Sequence, residues 1–208
     1  MTTKYIDAHY FFQAAGDIVP LNLWLDESII PEVDALNADE STHHIRYEAN
    51  ENAGGDDDHY GQRGGYEYNH VPSNWGLPSN ASTVSSLLYN KGDYLFPHRD
   101  KWRHLNEDGS FTNEFNGLRL VNFVNKTSQT DFCFVVDGKI VELEKGRWYA
   151  INTQRVHYGF SYADGIYHLG CDLSFAPKHR AQTTKFLLDN MAFPQPFDDR
   201  KGVDCMRN

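Results

Sequence analysis

Between Thr83 and Phe175 the chain breaks into short apolar runs: Thr83–Tyr89, Tyr94–Phe96, Leu118–Val124, Phe132–Val136, Ile140–Leu143, Trp148–Ile151, Val156–Phe160 and Ile166–Phe175. Each is rich in β-branched and aromatic residues, and Gly, Asn, Asp or Lys separates it from the next. Such residues suit a pleated, half-buried surface, and the intervening ones suit turns. Val136-Asp137-Gly138-Lys139-Ile140 carries the strongest hairpin signal, Asp-Gly between two apolar runs. So many short strands in one stretch predict a mainly β fold, a β-sandwich or a jelly roll of the cupin kind, with a few flanking helices.

At 208 residues the chain is expected to form one domain, 1–208. Residues 1–82 read as an N-terminal extension and long loop, 83–176 as the jelly-roll core, and 177–208 as a C-terminal helix and tail. Within the extension, the aromatic and aliphatic residues of 5–24 suggest short strands. Asp26-Glu27-Ser28 before Ile29, Ile30, Val33 and Leu36, with Pro31 in the first turn, predicts a short helix. From 37 to 82, Gly and Pro residues predict loop. Tyr60, Tyr66, Tyr68, His70 and Trp75 in the same segment would also suit a lid or binding loop.

Charge narrows the partners. With 29 acidic against 19 basic residues the net charge is −10, which disfavours nucleic-acid phosphate and anionic membrane surfaces. Three widely spaced cysteines, Cys133, Cys171 and Cys205, give no disulfide framework and no metal knuckle. Polar residues interrupt the first twelve positions, and no apolar stretch approaches the roughly 20 residues a spanning helix needs. A cytoplasmic protein with small-molecule partners is the expectation.

The chemistry sits in Pro97-His98-Arg99-Asp100 and in His157. On an extended segment, side chains two apart share a face, so His98 and Asp100 form a clamp with Arg99 turned away. His157 opens a later run and completes a two-histidine, one-carboxylate set. That set leaves coordination positions open, as non-haem Fe(II) requires for oxygen and a co-substrate. His98, Asp100 and His157 are therefore the candidate metal ligands and catalytic centre. The acidic run Asp56-Asp57-Asp58 lacks the ordered spacing of a calcium loop and reads as a solvated turn.

These residues belong to a larger pattern. PHRD, then GLRLVNFVN, then VDGKIVELEKGRWYAINTQRVHYGFS, then a strand containing CDLSF resembles the Fe(II)/2-oxoglutarate-dependent oxygenases. The likeness is to the aspartyl/asparaginyl β-hydroxylase-like branch that includes free-proline hydroxylases, and it covers about the C-terminal half. It implies a double-stranded β-helix (jelly roll, cupin-like) with Fe(II) on His98, Asp100 and His157, and 2-oxoglutarate as chelating co-substrate. It also implies oxygen and an amino acid or peptide as further substrates. Where the family carries an arginine for the far carboxylate of 2-oxoglutarate, this chain has Tyr167 followed by His168. Arg119, which matches a family arginine on an earlier strand, joins Tyr167 and His168 as candidate co-substrate ligands; Arg155 is a further cation nearby. Trp102 and Arg103 are candidates for touching substrate. Two other readings keep the β fold: a cupin-type metalloenzyme that does not use 2-oxoglutarate, and a non-enzymatic β-sandwich binding protein.

Overall fold

The computed structural model describes residues 7–45, 65–100, 104–105, 111–112, 117–126 and 128–192. Residues 5–24, expected as short strands, divide instead into a helix, α1 (Ala8–Ala15), and a strand, β1 (Ile18–Trp24). The Asp7 carboxylate caps α1 by accepting from the Tyr10 amide at 2.7 Å, satisfying one of the orphan N–H groups of the first turn. Ala8, Phe11, Phe12 and Ala15 recur at i, i+3, i+4 and i+7, which puts one apolar face into the core.

Asp26 then caps a short 3-10 turn that runs into α2 (Ile30–Ala38), the helix expected there. Two strands follow inside the segment read as loop: β2 (His43–Ile45) and β3 (Gly65–Tyr68). Asp56–Asp58, Tyr60, Trp102, Arg103 and Cys205 lie outside the described residues. The remaining elements are β4 (Ser82–Tyr89), β5 (Tyr94–His98), β6 (His104–Leu105), β7 (Phe111–Thr112), β8 (Gly117–Phe123), β9 (Phe132–Val136), β10 (Lys139–Val141), β11 (Arg147–Ile151), β12 (His157–Ser161), β13 (Ile166–Ser174) and α3 (Arg180–Asn190).

The strands assemble into a large antiparallel sheet, β1-β11-β8-β13-β4-β3-β2, and a small one, β10-β9-β12-β5; β6 and β7 pair separately. Three strands of the large sheet, β1, β2 and β3, come from the region before Thr83. At the β9–β10 hairpin Asp137 and Gly138 both have positive φ, 50° and 75°, the backbone of a two-residue turn that matches strand twist.

Each face of the large sheet buries a different core. Its inner face meets the small sheet: Tyr89, Val121, Phe123, Tyr149, Ile151 and Ile166 pack on Phe132, Phe134, Val136 and Val141. Its outer face is covered by helices, with Phe11, Phe12, Val33, Phe186 and Leu187 against Leu118, Leu120, Trp148, Leu169 and Leu173. Strands with residues buried on both faces read as near-continuous apolar runs, which is why GLRLVNF shows no alternation. The result is a β-sandwich in which side chains of alternate parity along β8 and β13 point either into the inter-sheet space or toward the helices. Among the described residues, no helix is long and apolar enough to cross a membrane.

Candidate metal centre

A β-bulge aims His98. In the β5–β12 pair His157 lies opposite His98 and Gly159 opposite Leu95, so three steps on β5 match two on β12. The extra residue changes the parity of β5. Tyr94 and Phe96 stay on the exposed face while Leu95 and His98 turn to the inner one. Pro97 donates no hydrogen bond and is tolerated because it sits in a bulge on the edge strand.

His157 begins β12 beside it; the two imidazole rings are 4.1 Å apart between centroids. Asp100 lies two residues past His98, after β5 has ended. Its amide donates to the Thr153 carbonyl at 3.0 Å, and its own carbonyl accepts from Gln154 Nε2 at 2.6 Å. The turn between β11 and β12 therefore holds Asp100 in place, and Asp17 braces that turn by accepting from Asn152 Nδ2 and Arg155 Nε. Sequence reasoning missed Asp17, Thr153 and Gln154. The available signal was an Asn-Thr-Gln-Arg turn immediately before His157.

The donor geometry fits a metal. His98 Nδ1 lies 2.7 Å from the Phe96 carbonyl and His157 Nδ1 lies 3.1 Å from the Arg155 carbonyl. A carbonyl only accepts, so both Nδ1 atoms carry the proton in the neutral rings, and both Nε2 atoms present lone pairs. Those nitrogens stand 3.4 and 3.7 Å from one Asp100 carboxylate oxygen, and one ligand atom from each residue lies within 4.8 Å of the others. Adjacent donors around a first-row divalent ion, at roughly 2.1 Å bonds, stand about 3 to 3.5 Å apart. Three converging lone-pair donors repel one another until a cation sits between them. Backbone acceptors on the far nitrogens are the usual means of fixing a metal-ligating imidazole.

The electrostatics agree with ligands held in their binding-competent states. Burial raises the Asp100 carboxyl, but its interactions with His98, Arg119 and His157 outweigh burial and hold Asp100 below the ordinary value. Burial pushes His157 down to about 4, with the Asp100 charge opposing, so the ring is neutral at pH 7. A neutral imidazole and an ionised carboxylate are the forms a metal takes.

The structure brings Arg119 and His168 to the inner face with the triad and takes Tyr167 elsewhere. Arg119 on β8 stands opposite Asp172 on β13. Its Nη1 lies 3.2 Å from Asp172 Oδ1, and its Nη2 donates to Ser85 Oγ at 3.2 Å. Burial raises Asp172 to about 6 even with that guanidinium beside it. His168 faces the same space, stacked on Phe123 at 4.6 Å with planes 10° apart. Tyr167 points to the helical side, where its hydroxyl donates to Asp34 at 2.6 Å. Neighbours on a strand face opposite ways, so the two cannot both reach the inner space.

A cavity of 510 Å³ opens where β11 ends and β12 begins, lined by His9, Phe12, Asp17, Asn152, Gln154 and Arg155 among others. Arg155 thus lies beside this cavity, with its carbonyl on His157. No family model matches the chain, and no curated protein matches it.

Proposed function

We infer that this chain is a non-haem iron dioxygenase on a double-stranded β-helix, hydroxylating an unactivated C–H bond with a 2-oxo acid, of which 2-oxoglutarate is the type, as co-substrate. The observation that carries the reading is the convergence of two Nε2 lone pairs on one carboxylate, with both Nδ1 atoms tied to backbone carbonyls. Two nitrogens and one oxygen leave open positions, the donor pattern of iron oxygenases. Bound Fe(II) would supply oxygen activation coupled to oxidation of the co-substrate.

The protein's own part is positioning. His98, Asp100 and His157 hold the ion, and the 152–155 turn fixes Asp100 and His157 by main-chain and Gln154 hydrogen bonds. Arg119 sets positive charge beside the triad, suited to the acid group of the co-substrate. The apolar inner core behind it excludes water. An amino acid or peptide side chain is the proposed substrate.

Anaerobic Fe(II) titration with 2-oxoglutarate tests this. Wild type should develop the metal-to-ligand charge-transfer band and, on admitting oxygen, form succinate. His98→Ala and Asp100→Ala should bind metal at least about tenfold more weakly. Variants that match wild type in metal affinity would remove those residues from the ligand set and sink the reading. One observation favours the cupin-type alternative without 2-oxoglutarate: Arg119 is already paired with Asp172 and Ser85. Tight iron binding with no band from any 2-oxo acid would select it.

A further inference from the structure

We propose that His168 makes this site select a 2-oxo acid whose far end is an uncharged hydrogen-bonding group rather than a second carboxylate. The proposal deepens the iron and 2-oxo-acid reading above and rests on it. On the inner face of β13, Asp172, Gly170 and His168 follow one another away from the end that carries Arg119's ion pair. The Arg119 guanidinium lies against Gly170, where a Cβ would come within 3.0 Å of Nη2. Glycine at 170 is what lets the arginine lie across the strand, between the acid and the histidine.

Charges at this level answer one another: the Arg119 guanidinium meets the Asp172 carboxylate and the Ser85 hydroxyl. Deeper in, the polar group is His168. It is buried, its ring packs on Phe123 and Tyr89, and neither Nδ1 nor Nε2 has a hydrogen-bond partner. An imidazolium there would be an unpaired charge among aromatic rings, which is far costlier than the neutral ring. Burial accordingly carries its pKa down to about 3, with the Arg119 charge adding to the effect.

A neutral imidazole offers one N–H and one lone pair. Both are unsatisfied here, and a buried unsatisfied group costs free energy that a fitting ligand recovers. A ketone or ester accepts from the N–H, and an amide or hydroxyl can also donate to the lone pair, in each case with no charge to compensate. Arg119, the cation beside the ring, already meets Asp172 and Ser85, so a carboxylate at the same place would compete with Asp172 for it. Specificity then comes as much from rejecting the dianion as from welcoming the neutral end.

The test uses the full chain with Fe(II) under anaerobic conditions and reads half-saturation of the charge-transfer band. The probes are 2-oxoglutarate and 2,5-dioxohexanoate, in which a methyl ketone replaces the far carboxylate at nearly the same size. Wild type should half-saturate with the ketone at a concentration at least about tenfold below that for 2-oxoglutarate. His168→Arg should reverse the order, and His168→Gln, neutral and hydrogen-bonding, should keep it. Equal affinity, or a preference for 2-oxoglutarate in wild type, overturns the proposal, and that ratio does not depend on either variant folding. Metal affinity is read separately from the Co(II) absorption spectrum. Metal bound with 2-oxoglutarate preferred leaves the iron reading standing and this inference refuted; metal not bound at all refutes both.

Discussion

His157 and His168 are both imidazoles on the inner face of the sandwich, yet their surroundings differ. His157 has a carbonyl on Nδ1 and a carboxylate beyond Nε2; His168 has aromatic rings on its faces and nothing on its nitrogens. Burial depresses both, to about 4 and about 3, from an ordinary 6.5. The unfolded chain takes up these protons near 6.5 and the folded chain only far below it. Their contribution to stability is therefore complete above 6.5 and is lost as pH falls toward the folded values, by up to about 1.4 kcal/mol per unit for each ring. Asp172 works the other way. Its folded pKa is raised to about 6, so its ionised form weakens the fold above that pH, and acidification toward 3.8 restores stability. Two losses against one gain predict that the melting temperature of the metal-free protein falls between about pH 6 and about pH 4. Removing one histidine by His168→Gln should nearly flatten that profile. Calorimetry across the range decides it, and a variant profile as steep as wild type would show that His168 is not buried neutral. The triad was legible in the sequence because His-x-Asp spacing is local. His168 shares strand parity with Asp172, which separates it from Tyr167 by position; that their shared face is the inner one depends on the β13 register, which aligns Asp172 with Arg119, residues 53 apart.

At the scale of elements, tight turns rather than strands set the tolerances. Gly146 enters β11 with φ at +70°, and a Cβ there would lie 2.1 Å from the Leu25 carbonyl oxygen. The same residue exchanges main-chain hydrogen bonds with Leu25 and Phe123, so neither neighbour can withdraw. Gly138 in the β9–β10 hairpin has a similar φ of +75° but nothing within 4 Å of the added carbon. Gly138→Ala carries only the left-handed backbone strain, about 1 kcal/mol; Gly146→Ala adds a backbone collision and should cost at least about 2 kcal/mol more. Urea midpoints of the two variants compare them, and equal midpoints would mean that the chain at Gly146 yields without cost. The strands of 83–175 were readable because β-branched and aromatic runs report burial directly. The α1 helix was also written in the sequence, in the Asp7 cap and the spacing of Ala8, Phe11, Phe12 and Ala15, but the dense aromatics mask that period. β2 and β3 were not legible: Gly65-Tyr66-Glu67-Tyr68 becomes a strand only because β4 offers it an edge.

Across the whole molecule the candidate centre joins parts that are otherwise weakly coupled. β5 is an edge strand, paired on one side only, and it carries His98 just past a bulge. Asp100 is held through the 152–155 turn, and His157 begins β12. An ion bound by all three would pin that edge and turn to the small sheet, while β1, β11 and β8 are already locked between two apolar cores. Binding to the folded state alone, at a free metal concentration a hundredfold above Kd, contributes about 2.7 kcal/mol. For a chain of this size that corresponds to a rise of roughly 5 to 10 °C in melting temperature. The stabilisation should also be local. Amide exchange should slow most in β5 and in 152–157 on adding Fe(II) or Co(II) without oxygen, and least in β8 and β11, whose opening already requires global unfolding. Asp100→Ala should lose both the thermal shift and the local protection. A shift of equal size in that variant, or protection spread evenly over both sheets, would place the ion somewhere other than His98, Asp100 and His157.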